Sequence, residues 1–164
     1  MKAACIIPSR YASTRLPGKP LRLIAGKTLV HRVYERACLA KVPETVIVAT
    51  DHEEIEKEVK SFGGHVVMTS VNHPTGTDRL AEVAAKLPQY DIIVNVQGDE
   101  PLIDPDVIDR LAQDLMDHED LDMATVATPL RKDEYEDPSA VKVVVNTKGR
   151  SPVFFPFPDS LSPP

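Results

Sequence analysis

Ala3-Ala4-Cys5-Ile6-Ile7-Pro8-Ser9-Arg10-Tyr11-Ala12-Ser13-Thr14-Arg15-Leu16-Pro17-Gly18-Lys19-Pro20-Leu21 begins as an apolar run and breaks into a loop carrying Arg10, Arg15 and Lys19. The run has the length and composition of a buried strand. In an open α/β sheet, ligands bind just beyond the carboxyl ends of the strands. Arginine can grip phosphate bidentately and lysine meets it as a point charge. Ser13, Thr14 and the loop amides can donate to phosphate oxygens, while Pro17, Gly18 and Pro20 shape the loop. Each residue alone could be an ordinary loop residue. Together, after a first strand, they read as a triphosphate cradle.

The pattern continues outward from that strand. Helical spacing of Leu29, Val30, Val33, Tyr34 and Ala37 predicts a helix over 28–40, followed by a strand at 45–49. Asp51 and Glu54 have capping-box spacing, so Asp51 is expected to cap a helix reaching about residue 61, stopped by Gly63-Gly64. A strand at 65–69, a helix at 77–87 and a strand at 91–96 follow. Asp104-Pro105 starts another helix, with Asp as cap and Pro in the first turn. Further strands are expected at 123–127 and 141–145. Strands alternating with helices predict an α/β domain with a mostly parallel sheet. The strands are continuously apolar, as expected when helices cover both faces.

Composition agrees with that class. The chain has 164 residues, 42% hydrophobic and 27% charged, which suits a globular domain and excludes fibre or global disorder. No apolar run approaches a membrane span, and the short first run lacks a signal-peptide core, so a cytoplasmic location is expected. Two cysteines make no disulfide framework, and Cys5 reads as a small buried hydrophobe. The net charge of −6 argues against nucleic acid as a partner. Residues 1–36 hold eight Lys or Arg and one acid, so the basic charge is local and points to a small anionic ligand such as phosphate.

Several motifs are absent. Gly26-Lys27-Thr28 lacks the glycine five positions earlier that a P-loop needs, because position 21 is Leu. Neither a G-x-G-x-x-G turn nor a G-x-S-x-G elbow occurs, and the five histidines show no metal-ligand spacing. Three further strings stand at strand or helix ends. In Val94-Asn95-Val96-Gln97-Gly98-Asp99-Glu100-Pro101, a buried strand ends in polar residues. Asp99 there can hold Mg²⁺, or can equally be part of an acidic turn. Ala49-Thr50-Asp51 ends the second main strand, and Thr75-Gly76-Thr77-Asp78-Arg79 places backbone amides at a helix start, where a base or phosphate can sit.

These strings, in this order, resemble the 3-deoxy-manno-octulosonate cytidylyltransferases (CMP-Kdo synthetases). I-I-P-S-R-Y-A-S-T-R-L-P-G-K-P-L, V-A-T-D-H-E, G-T-D-R-L-A-E, V-N-V-Q-G-D-E-P and A-V-K-V-V carry the resemblance from about residue 3 to 149. The sialic-acid cytidylyltransferases share the layout but differ in the first loop.

The resemblance implies a Rossmann-like nucleotidyltransferase fold that joins CMP from CTP to the anomeric hydroxyl of Kdo. Pyrophosphate is released and the product serves lipopolysaccharide assembly. It implies Arg10, Ser13, Arg15 and Lys19 at the phosphates, with Thr50, Asp51, Gly76, Thr77 and Arg79 near the nucleotide. It also implies Gln97 near the sugar acid and Asp99 on Mg²⁺, with Arg10, Arg15, Lys19 and Asp99 as the catalytic set. CTP and Kdo are the implied partners, in a homodimer, without nucleic acid or membrane.

Residues 151–164 depart from both patterns, with five of the fifteen prolines, three of the four phenylalanines and no Lys or Arg. The family continues after K-G as an aromatic strand with Y-F-S-R and then P-I-P. Here Lys148-Gly149 leads instead to Arg150-Ser151-Pro152. The expected division is therefore a nucleotide-binding part, 1–149, and an aberrant tail, 150–164, with a frameshift or stop near 149. On that reading the C-terminal part of the fold, a second metal-binding Asp and the dimer surface are missing. The chain is then expected to bind CTP weakly and turn over little. The competing readings are a cytidylyltransferase for another ulosonic or sialic acid and a non-catalytic CTP-binding fragment.

Overall fold

The computed structural model describes residues 1–12, 16–138 and 140–147, with the backbone of 153–155. In chain order the elements are β1 (Ala3–Ser9), β2 (Leu23–Ile24), β3 (Lys27–Thr28), α1 (Leu29–Ala37), β4 (Thr45–Thr50) and α2 (Glu53–Ser61). Then come β5 (His65–Met68), α3 (Gly76–Ala85), β6 (Ile92–Asn95), α4 (Pro105–Asp117), β7 (Lys142–Val144) and β8 (Val153–Phe155). They fall into two compact units, Met1–Ala124 and Thr125–Pro164. The division expected at 149 follows family pattern and composition; the packing boundary lies at 124/125.

The first unit is built on a four-stranded parallel sheet in the order β5-β4-β1-β6. Successive side chains on a strand point to opposite faces. Cys5 and Ile7 of β1, Val46 and Val48 of β4 and Val94 of β6 pack with Val30 and Val33 of α1, Ile55 and Val59 of α2, and Ile108 and Ala112 of α4. Ile6, Ile47 and Ala49 take the other face, against Leu80 and Val83 of α3. Helices thus cover both faces, as the continuous apolar runs require. Cys5 lies in this core, where burial pushes its thiol up to about 12. Among the described residues no helix is long and apolar enough to cross a membrane.

The strand order positions the site. The chain moves from β1 to β4 to β5 on one side, then returns to place β6 on the other side of β1. The crossover to β6 runs through α3, on the face opposite α1, so the strand order reverses at β1, and the carboxyl ends at such a switch point are where these sheets bind ligands.

Three local expectations change. Asp104 caps α4 as expected, its side chain accepting from the Asp106 amide, with Pro105 in the first turn. Asp51 does not cap α2: His52 takes that place, its Nδ1 accepting from the Glu54 amide at 3.3 Å, and Asp51 is drawn to Arg79. The stretch 123–127 is not a strand, and Met123 and Val126 are exposed. Its β-branched residues have no neighbouring ladder, and an unpaired strand leaves its backbone groups unsatisfied. In the second unit β7 pairs antiparallel with β8, Lys142 opposite Phe155 and Val144 opposite Val153. Val153–Phe155 thus forms a short strand inside the segment read from sequence as a tail outside the pattern. Prolines at 152 and 156 flank it in the sequence, and proline is tolerated only at strand ends and edges.

Candidate functional site

Pro8, near the carboxyl end of β1, is the point on which three loops converge. The Val96 amide donates to the Ile6 carbonyl at 3.1 Å, which carries β6's exit segment along β1. Gly98 then crosses so close to Pro8 that a β-carbon there would lie 2.5 Å from the Pro8 carbonyl oxygen. On the other side Gly76 begins α3, with its would-be β-carbon 3.6 Å from the Pro8 ring. Just past β1, Arg10 Nη1 donates to the Pro74 carbonyl at 3.1 Å, tying the basic loop to the approach of α3.

Lys19 and Asp99 meet over this convergence. Lys19 Nζ stands 2.6 Å from Asp99 Oδ2, joining the β1 exit loop to the β6 exit loop across 80 residues of sequence. Both side chains are about half exposed, so ligand can reach them. Gly18, before Lys19, has φ +65 and donates its N–H to the Tyr11 carbonyl at 3.0 Å, closing the basic loop. Glycine adopts such a left-handed conformation without a β-carbon penalty. Ser13 and Arg15 lie outside the described residues.

Thr50 and Asp51 end β4. Thr50 is fully buried, and its carbonyl accepts from Thr69 N at 2.8 Å and Thr69 Oγ1 at 3.0 Å. Asp51 Oδ2 receives Arg79 Nη2 at 2.6 Å. Arg79 is fully buried and also donates from Nη1 to Thr69 Oγ1 and, at 3.4 Å, to the Ser70 carbonyl. At the start of α3, Thr75 and Asp78 form a reciprocal capping box. The Thr75 hydroxyl, and its backbone amide, hold the Asp78 carboxyl below the usual range. The box uses the Thr75 and Asp78 amides and leaves those of Gly76 and Thr77 as helix-terminal donors for an anion. Gln97 is exposed, two residues before Asp99 in the same loop.

Arg10, Lys19, Gly76, Thr77, Gln97 and Asp99 therefore share the carboxyl edge of one sheet, with Thr50, Asp51 and Arg79 behind α3's first turn. Sequence reading missed two supporting contacts. Tyr11 stacks on His52, ring centroids 3.8 Å apart and 11° from parallel, fastening the basic loop to the cap of α2. Nothing local in the sequence pairs residues 41 positions apart.

The second contact is made by Glu82, which accepts from the Ser70 amide at 2.9 Å, bonds His73 Nε2 at 2.6 Å and takes Lys86 at 2.6 Å. Lys86 first, then the Ser70 amide and His73, pull the Glu82 carboxyl down to about 2. A lowered carboxyl contributes stability above its unfolded pKa and loses it as pH falls through the folded value. The thermal midpoint should therefore fall from about pH 4.5 towards pH 2. Glu82→Gln should flatten that fall in a series of melts at stepped pH; an unchanged profile would sink the assignment.

The site is thus a sheet edge of an α/β fold, cationic at one strand exit and anionic at the next, beside a helix N-terminus. Comparison with known proteins narrows the class. The family model described as cytidylyltransferase matches residues 4–154, and the chain belongs to that family. It is 51% identical over 150 residues to the 3-deoxy-manno-octulosonate cytidylyltransferase of Syntrophotalea carbinolica, covering 91% of this chain and 60% of that protein. The Geotalea daltonii protein of the same name is 53% identical over 150 residues, with 91% and 59% covered. A solved structure of CMP:2-keto-3-deoxy-manno-octonic acid synthetase complexed with CTP superposes with a TM-score of 0.86 at 42% identity, over 97% of this chain and 66% of that one. The chain thus spans about 60% of the length of the curated relatives it matches.

Proposed function

We propose that the protein transfers CMP from CTP to the anomeric hydroxyl of 3-deoxy-manno-octulosonate, giving CMP-Kdo for lipopolysaccharide assembly. The observation that carries this reading is the Lys19–Asp99 pair across the β1 and β6 exits, a cation for phosphate beside a carboxylate for metal. The names of the relatives supply the substrate class.

Arg10 and Lys19, with Arg15 of the same loop, neutralise the triphosphate, and Ser13 donates a hydrogen bond to it. The Gly76 and Thr77 amides and the Thr50-Asp51 turn flank the nucleotide, and Gln97 faces the sugar acid. In the transfer, the bond from the sugar oxygen to the α-phosphorus forms and the bond to the β-phosphate oxygen breaks. Pyrophosphate leaves and the hydroxyl proton passes to solvent. Such chemistry rests on alignment and charge neutralisation and needs no protein nucleophile.

Mg²⁺ suits the donor set. Among the described residues no three His, Cys, Asp or Glu side chains cluster, but this ion is often held by one carboxylate, waters and phosphate oxygens, and Asp99 provides the carboxylate. When bound, it would offset phosphate charge and lower the pKa of the sugar hydroxyl.

The test is pyrophosphate release with CTP and Mg²⁺ against a panel of sugar acids. Release fastest with Kdo is expected. Preference for another ulosonic acid would correct the substrate, and stabilisation by CTP without release would reduce the reading to nucleotide binding. The absence of both release and stabilisation would overturn it.

A further inference from the structure

Arg79 is the largest fully buried side chain among the described residues. Its guanidinium joins three elements. Nη2 holds Asp51 at the end of β4 at 2.6 Å. Nη1 reaches Thr69 and Ser70 beyond β5, and Thr69 in turn donates its hydroxyl and its amide to the Thr50 carbonyl. The arginine itself sits in the first turns of α3, three residues after Gly76. Its Nε, also buried, has no partner.

Burying an arginine is costly, and a well-packed hydrophobe is often as stable as a buried ion pair. A stability role alone thus gives no reason for a charge here. What the guanidinium does that a hydrophobe cannot is set directions. It fixes the Asp51 carboxylate against the β4 end and locks α3 so that the Gly76 and Thr77 amides face the sheet edge. Zero exposure also keeps it away from any ligand at that edge.

We infer that Arg79 is a positioning residue for the nucleotide site: it orients Asp51 and the first-turn amides of α3 and touches no nucleotide atom. The inference rests on the CTP reading above. It differs from a direct phosphate contact in what it predicts for the protein without ligand.

The experiment uses the full chain and its Arg79→Lys variant. Two quantities are measured: amide exchange without ligand at Asp78, whose N–H donates to Thr75 Oγ1 at the start of α3, and the dissociation constant for CTP with Mg²⁺. Arg79→Lys keeps the charge but loses the planar fork. The expected result is at least tenfold faster exchange at Asp78, with CTP weakened tenfold or more. Loss of CTP affinity with exchange at Asp78 unchanged would make Arg79 a direct nucleotide ligand and overturn the inference. A lowered urea midpoint with CTP affinity intact would make it merely structural and also overturn it. If Arg79→Lys does not fold, Thr69→Val, which removes the Nη1 acceptor, should speed exchange at Asp78 and weaken CTP severalfold; unchanged values overturn the inference. An unmodified chain that does not bind CTP overturns the nucleotide reading itself, whereas unchanged exchange at Asp78 in the variant overturns the clamp alone.

Discussion

Replacing Lys19 with methionine should weaken CTP binding while tightening the binding of a free divalent metal. The two changes have opposite sign because Lys19 Nζ stands 2.6 Å from Asp99 Oδ2, the carboxylate proposed for the metal. In the proposed complex the lysine meets phosphate, and a charge-assisted hydrogen bond is worth about 1.5–3 kcal/mol, or about tenfold to a hundredfold in affinity. Where no phosphate draws it away, the same ammonium competes with the proposed metal for that carboxylate. Removing it frees Asp99, and Mn²⁺ alone should then bind several times more tightly. The fold should barely notice, since ion pairs this exposed contribute about 0–1 kcal/mol. Parallel calorimetric titrations with Mn²⁺ and with CTP check both signs. If the two affinities fall together, Lys19 supports the loop and does not share Asp99 with the ligand.

That pair also shows what could be read from the sequence. Lys19 and Asp99 were each legible, because each follows an apolar run and polar residues at a strand's carboxyl end are candidate site residues. Their contact was not, because it depends on β6 returning to lie beside β1 and not beside β5. Asp51 shows the opposite error. Its three-residue spacing to Glu54 is a local signal, and local signals compete with long-range ones. A buried guanidinium 28 residues away claimed the carboxylate, and His52 was left to cap α2. The Asp104-Pro105 start of α4 had no such competitor, and there the local pattern held. At 123–127 the β-branched composition was real, but a strand is a relation between two segments, and composition alone cannot supply the partner.

Gly98→Ala should damage both the fold and the site, although it adds one methyl group. The new β-carbon would lie 2.5 Å from the Pro8 carbonyl oxygen, a backbone atom. Pro8 cannot yield easily, because β1 is paired on both sides, Pro8 opposite Ala49 of β4 and Ile6 opposite Asn95 of β6. The Gln97–Asp99 segment must move instead, and overpacking of this kind costs about 1–3 kcal/mol. Movement of that segment takes Asp99 away from Lys19 and from the loop after β1. Affinity for Mn²⁺ and CTP should therefore fall even in the fraction that remains folded. Gly76→Ala is the matched control: its β-carbon would meet the same proline ring at 3.6 Å, an ordinary contact, so its urea midpoint should stay near that of the parent. Urea titrations of the two variants, with metal and nucleotide binding on the folded protein, separate crowding at Pro8 from any general effect of adding a methyl group. Equal midpoints for both variants, with binding intact, would mean that the β6 exit loop is not seated on β1 as described. The site would then need another source of rigidity.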